Sequence, residues 1–252
     1  MSDDSAKSSV IHKVLDILLL FRGQQEQYTV EEISQLLDMP KSTVYRYIRI
    51  LHEKSLLEKV SPAEYSLGLV LFELGRKALA SNREMRLIAL PSMQRLAEKT
   101  GESVSLMRLY NRRVVCIESI EGRQALRVTI ERGRTQALHA GASSKILLSR
   151  LPFDEWNEML SIPLERYTRT TITDMSILRA HIQTIREQGY AVSDGEIDVG
   201  ARAVAVPLAD HRNEIVAALS VEAPASRMND DVLAHYIDLL QHEASVIYNA
   251  LS

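Results

Sequence analysis

The stretch Tyr28–Lys59, YTVEEISQLLDMPKSTVYRYIRILHEKSLLEK, restricts this chain more than any other. Thr29 can cap a helix, and Glu32 stands three residues later as the partner of a capping box. Val30, Ile33, Leu36 and Leu37 recur at helical spacing, which predicts a helix over Thr29–Leu37 with one apolar face. Asp38-Met39-Pro40 interrupts the pattern, and Pro40 suits the first position of a second helix running to about Glu53. In that helix Val44, Tyr47, Ile48 and Leu51 share one side, and Ser42, Tyr45, Arg46 and Arg49 share the other. The polar side carries no acid before Glu53, and its residues can bond phosphate or base edges.

A solvated surface helix would show charges of this kind without further meaning. A short helix pair whose second member is apolar behind and Ser/Tyr/Arg/Arg in front is also what a helix-turn-helix requires, with that second helix entering the major groove. Spacing, caps and basic face agree on the latter. Leu57–Val60 and Glu64–Leu67 read as two short strands around Ser61-Pro62-Ala63, the hairpin of a winged variant. The expected DNA contacts are Lys41, Ser42, Thr43, Tyr45, Arg46 and Arg49 on the helix, with Lys59 on the wing.

Here the chain resembles the IclR-type transcriptional regulators. The resemblance runs from about Val10 to the C-terminus. It rests on KSTVYRYIRIL (Lys41–Leu51), YSLGLVLFELGRKAL (Tyr65–Leu79), TGESVSL (Thr100–Leu106), LRVTIERGRTQALHAGASSKILLS (Leu126–Ser149), REQGYAVSDGE (Arg186–Glu196) and AALSVEAPASRM (Ala217–Met228). It implies a winged helix-turn-helix, then a linker helix, then a GAF-like domain that binds a small effector. The division expected is 1–67, 68–83 and 84–252.

Composition sets the outer bounds. With 252 residues, 46% apolar and 25% charged, the chain is ordinary globular material able to bury a core. A net charge of −3 argues against a general nucleic-acid coat but leaves local recognition open, because basic residues gather on one helix. Cys116 is the only cysteine and sits in the apolar run Val114–Ile117, so disulfides and a cysteine-based zinc site are excluded. The polar N-terminus MSDDSAKSS lacks the apolar core of a signal peptide, and no apolar run is long enough for a bilayer. A cytoplasmic setting without membrane contact is expected.

Along the chain, Met1–Ser8 reads as a leader, and Ser8 or Ser9 can cap a first helix through Arg22 that offers a dimer contact. Helices are expected over Leu69–Ser81 and Met85–Thr100, the second closed by Gly101. Strands are expected over Ser103–Tyr110, Val114–Glu121 and Ala125–Glu131, and helices over Ala140–Arg150, Phe153–Leu160 and Asp174–Gln188. Strands resume over Ala191–Asp194, Ala201–Ala209 and Asn213–Val221, and Asn229–Ala250 closes the chain as a helix. This order describes an α+β domain with a mostly antiparallel sheet.

Signatures of catalysis and cofactor binding are missing. None of the ten glycines is two positions from another, so the dinucleotide fingerprint is absent, as are a P-loop and a nucleophile elbow. His242-Glu243 has Val246 where a metalloprotease helix would place its second histidine. Glu196 and Asp198 read as an acid/base pair or as a capped turn before Ala201. No catalytic residue, metal site or cofactor is expected.

The resemblance also implies where an effector would sit: Ala142 and Ser143 at the start of a short helix, Ser193 before a late strand, then Ala203, Ser220 and Glu222. Ser143 and Ser144 retain the capacity to present helix-start amides to a carboxylate. Three positions depart from the family. Ser144 replaces a common glycine, Ala203 a common cysteine, and Glu222 a small residue. His139 is either a ligand-loop residue or a hydrogen-bonded structural histidine. Glu222 either faces the cavity with Ala218 and Ser220 or turns away to solvent or Arg227. The implied partners are a double-stranded DNA operator, a small-molecule metabolite and further copies of the chain in a homodimer or homotetramer. The alternative is a sensor or enzyme whose N-terminal domain serves only dimerisation.

Overall fold

The computed structural model describes residues 3–23, 25–80, 82–110, 112–156, 160, 163–210, 212 and 214–251, with the side chains of 3–9 and 78–80 left aside. The chain forms two compact units, Met1–Ser81 and Asn82–Ser252.

In the first unit, α1 (Asp3–Leu20) precedes β1 (Tyr28–Thr29), α2 (Val30–Leu36) and α3 (Lys41–Glu53). They are followed by β2 (Leu57–Lys59), β3 (Glu64–Leu67) and α4 (Leu69–Ala80). Helix α1 begins well before Ser8, contrary to the expected leader and cap, because no Gly or Pro between Asp3 and Ser9 interrupts it. Residues Met1, Ser2 and Ser81 lie outside the described residues.

The capping box at α2 is formed. Thr29 Oγ1 accepts from Glu32 N at 3.1 Å, and Thr29 N donates to Glu32 Oε2 at 2.7 Å. Those bonds to Thr29 hold the Glu32 carboxyl below the ordinary carboxylate range. Asp38, at φ 48°, turns the chain into α3, and Pro40 is the N-cap of α3 rather than its first residue. Val44, Tyr47, Ile48 and Leu51 are buried with Ile17, Ile33 and Leu57 in one core. Leu36 departs from expectation and is exposed, since α2 stops there and turns only Val30 and Ile33 inward.

The wing contains an unexpected third strand. β1 pairs antiparallel with β3, Tyr28 opposite Tyr65, so the sheet order is β1-β3-β2. Gly68 N donates to Leu56 O at 2.9 Å as the chain leaves the wing. A Cβ at Gly68 would lie 2.1 Å from the Ser55 carbonyl oxygen, so only glycine fits there. The apolar side expected for α4 comprises Leu71, Leu74, Ala78 and Leu79; Leu71 is half-buried, Leu74 is exposed, and the side chains of the other two lie outside the described residues.

The second unit opens with α5 (Arg83–Thr100), closed by Gly101 at φ 72°. Strands β4 (Ser103–Tyr110), β5 (Arg113–Ile120) and β6 (Thr135–Ala137) follow, then α6 (Ala142–Leu148) and α7 (Met175–Gln188). Asp174 caps α7, accepting from Ser176 N and Ile177 N. The chain ends in β7 (Ala191–Asp194), β8 (Ala201–Ala209), β9 (Ile215–Pro224) and α8 (Asp230–Leu251). The six strands form one antiparallel sheet in the order β6-β5-β4-β9-β8-β7.

Side-chain alternation divides this sheet into two faces. Val104 and Leu106, Val204, Val206 and Leu208, and Leu219 and Val221 pack with α5 and α8. Ala205, Ala218 and Met107 pack on the other face with α6, α7 and Trp156.

Two expectations are corrected. Ala125–Glu131 is not a strand. The edge of β5 is taken by β6, and Cys116 N bonds Arg134 O at 3.0 Å, which leaves 125–131 as a segment crossing the sheet end. The expected helix Phe153–Leu160 falls partly on 157–159, outside the described residues; around them Phe153–Glu155 is a 3-10 turn, Trp156 is helical, and Leu160 N donates to Trp156 O at 2.8 Å. The last strand runs on to Pro224, past the expected end at Val221. Cys116 is buried, as expected.

Candidate nucleic-acid face and ligand cavity

Helix α3 and the wing form one concave surface in the first unit. Ser42, Tyr45, Arg46, Arg49 and Lys59 line it together with His52 and Tyr65. His52 Nδ1 lies 3.0 Å from Leu57 O, tying the end of α3 to the start of the wing. Arg46 stacks over the Tyr47 ring at 5.1 Å and donates to its hydroxyl at 3.3 Å, which orders a side chain that α3 otherwise presents to solvent. Arg49 Nε is 3.6 Å from Glu53, a loose exposed pair. Such pairs are weak, so phosphate or a base edge can displace the carboxylate.

Two expected contacts lie elsewhere. Lys41 pairs with Glu31 of α2 at 2.6 Å, and Thr43 is half-buried. His52 and Tyr65 were not anticipated. An i+3 step from Arg49 reaches His52, and Tyr65 is the cross-strand partner of Lys59, so both were within reach of expected contacts.

In the second unit a cavity opens at one end of the sheet. Strand pairing explains its wall: Ser193 lies opposite Ala203, Ala203 opposite Glu222, and Glu222 opposite Ser103, one row across four strands. Ser193, Ala203 and Glu222 line the space, as do Ala142 and Ser143 at the start of α6. The segment 128–130 and the turn Glu196–Asp198 contribute to the lining, as do the cations Arg134 and Arg202.

Glu222 is 2% exposed and faces inward, not toward Arg227, which is held by Glu102 at 2.5 Å. Its Oε1 accepts the hydroxyls of Ser105 and Ser220, each at 2.5 Å. Its Oε2 is buried and receives no hydrogen bond among the described residues. Burial pushes this carboxyl up to about 7, although both serine hydroxyls act in the opposite direction.

Three expected effector residues do not reach the lining. Ser220 stands behind Glu222, Ser144 Oγ donates to Gln136 Oε1 at 3.4 Å, and His139 Nε2 lies 2.8 Å from Glu165 O. His139 also stacks on Tyr167 at 6.1 Å, the arrangement of a structural histidine.

Sequence reasoning missed Lys145. It is fully buried in α6 and forms an ion pair with Glu196, whose other oxygen accepts from Gly141 N at 3.3 Å. Desolvation lowers the Lys145 pKa, and the charge of Glu196 opposes that shift. The signal was a cation inside Ala142–Leu148, a helix with every residue buried. Asp198 O accepts from Ala201 N at 3.1 Å, so Glu196 and Asp198 belong to a structured turn. Among the described residues there is no cluster of three or more His, Cys, Asp or Glu side chains that could hold a metal ion, and no helix long and apolar enough to cross a membrane.

A winged helix-turn-helix followed by an α+β unit with a polar-walled cavity defines a class of DNA-binding regulator. Comparison with known proteins narrows it. The IclR helix-turn-helix domain matches residues 10–61, and the family described as bacterial transcriptional regulator IclR C-terminal matches residues 77–249. HTH-type transcriptional regulator KdgR of Escherichia coli (strain K12) is 34% identical over 242 residues, spanning 95% of this chain and 91% of KdgR. The crystal structure of Thermotoga maritima IclR superposes with a TM-score of 0.70 at 29% identity, covering 97% and 99% of the two chains. An IclR homolog from Microbacterium hydrocarbonoxydans, complexed with 4-hydroxybenzoate, gives 0.77 at 26% identity, covering 96% and 98%. The chain belongs to the IclR family of bacterial transcriptional regulators. It is a regulator with a helix-turn-helix DNA-binding domain, in a family that is not enzymatic.

Proposed function

We propose that a small molecule bound in the cavity of the second unit controls the affinity of this regulator for its operator. The observation that carries this reading is the row Ser193–Ala203–Glu222, which places polar groups on a cavity wall that packing alone would fill with apolar side chains. The 4-hydroxybenzoate complex of the Microbacterium homolog supports a ligand of metabolite size. In this reading residues 1–67 read DNA, 68–83 link, and 84–252 sense, in a cytoplasmic protein. Ser42, Tyr45, Arg46, Arg49 and Lys59 meet the duplex. Ala142, Ser143, Ser193, Ala203 and Glu222 meet the effector.

The regulator acts as a homodimer or homotetramer. Exposed Ile11, Leu15 and Leu19 on α1 and Phe72 on α4 support that, because apolar surface of this extent gains by burial against a second copy. A dimer presents two recognition helices to half-sites about one helical turn apart, or a multiple of it. The test is a thermal-shift screen against metabolites, followed by retardation of the protein's own upstream DNA with and without each hit. A stabilising compound that leaves operator affinity unchanged would break the coupling.

A further inference from the structure

A carboxylate oxygen kept from solvent without a donor is costly, and native structures keep few of them. Oε2 of Glu222 is such an atom. Its geometry is specific: β9 carries Glu222 beyond the point where the strand was expected to end, and β4 and β8 flank it on both sides. Ser105 and Ser220 both donate into Oε1, which fixes the carboxylate plane and leaves Oε2, on a residue that lines the cavity, as the oxygen without a donor.

The other charges on this wall each stand beside an opposite charge. Glu196 is neutralised by Lys145, and Asp198 stands 3.7 Å from Arg134. Arg202 Nη2 is held by Asp230 at 2.9 Å and Nη1 by Met228 O at 2.6 Å, while its buried Nε stands 3.6 Å from Asp194 and makes no hydrogen bond among the described residues. Cys116, on β5 beyond β4, remains a thiol, its pKa pushed up to about 12 by burial and by the charges of Glu222 and Glu118. Glu222 is therefore the acid of the cavity that has no cation paired with it.

We infer that the cavity takes a ligand that places a hydrogen-bond donor, a hydroxyl or an ammonium, against Oε2 of Glu222, and rejects one that ends in a carboxylate at that point. The inference rests on the reading of this cavity as the effector site and names the ligand chemistry that site accepts. Above neutral pH Glu222 is charged and can only accept hydrogen bonds. A donor from the ligand completes its coordination, whereas a second carboxylate at that distance meets like charge in a poorly screened space. A hydroxyl gains a charge-assisted bond, and an ammonium gains the same bond with charge neutralisation.

The test uses the full-length protein at about pH 8, where Glu222 is ionised. The probes are straight-chain carboxylates of increasing length and para-substituted benzoates. Each skeleton is supplied in three forms, ending in a hydroxyl, an ammonium or a second carboxylate. Affinities are read by calorimetry on the wild type and on Glu222→Gln, which keeps the shape and adds donors, with Glu222→Ser as a second variant. The expected result is that donor-ended members bind the wild type at least about tenfold more tightly than their dicarboxylate counterparts. That ratio should collapse toward unity in both variants. Equal binding of the dicarboxylates by the wild type, or an unchanged ratio in a folded variant, overturns the assignment at Glu222 while leaving the effector site standing. Failure of every skeleton to bind either protein overturns the effector-site reading itself, and this inference with it.

Discussion

Lys145 and Glu196, 51 residues apart in the chain, form a buried ion pair that fastens helix α6 to the turn between β7 and β8. Lys145 Nζ also donates to Val192 O at 2.9 Å, and Glu196 accepts from Gly141 N, so both charges are further satisfied by backbone. The pair thereby positions two walls of the cavity, Ala142–Ser143 and Glu196–Asp198, against each other.

Removing one member leaves the other charge buried without compensation. Lys145→Met is expected to cost roughly 3–5 kcal/mol of stability in urea denaturation. The double variant Lys145→Met/Glu196→Met should recover a large part of that loss. A single variant as stable as the wild type would mean that the pair is solvated in solution.

Arg46 and Arg49 project from α3 into the concave face beside the wing. If either reads a guanine edge, its alanine variant should lose about 1–3 kcal/mol of operator affinity and relax preference at one base position. If it holds phosphate only, affinity should fall evenly across sequences and the salt dependence should become shallower. Gel retardation at two salt concentrations separates these results. Undiminished operator binding by the folded double variant would remove α3 as the recognition helix.

Glu222 links stability to pH in an unusual direction. Its folded pKa is raised to about 7 by burial, so in the window between the ordinary carboxylate range and about 7 the native state holds a proton that the unfolded chain has released. Stability from this group is therefore present at low pH and lost as pH climbs through that window. Compared with Glu222→Gln, the wild type should lose up to about 3 kcal/mol between about pH 5 and about pH 8. Parallel pH profiles of the two proteins in chemical denaturation would contradict this.

Residues 82–252 carry two apolar clusters and their own complete sheet. That fragment should unfold cooperatively and bind whatever ligand the full protein binds, without retarding DNA. Non-cooperative melting of several fragments with shifted start points would count against an independent second unit.

Local chemistry made much of the fold readable. The Thr29–Glu32 box, the two sides of α3, the wing strands and Gly101 are short-range signals, and each appears where spacing put it. What could not be read came from distance along the chain. β1 exists only because Tyr28 finds Tyr65, and 125–131 is not a strand because Thr135–Ala137 already holds the edge of β5.

The cavity followed the same division. Alternation along β9 placed Ala218, Ser220 and Glu222 on one face, yet whether Glu222 or Ser220 reached the space depended on β4 and β8. Lys145 owes its burial to Glu196, 51 residues away, which no local spacing announces. Likewise the pairing of Arg227 with Glu102, two distant residues, released Glu222 from the partner nearest to it in sequence.

Gly68 adds a rule for interpreting genetic screens. A Cβ there would collide with the Ser55 carbonyl oxygen at 2.1 Å, and backbone cannot step aside as a flexible side chain can. Alleles at codon 68 should therefore reduce protein abundance in the cell, while alleles at codons 46 and 49 should leave abundance intact and alter promoter occupancy. A mutant library scored for both traits would sort the winged unit into positions that shape it and positions that speak to DNA.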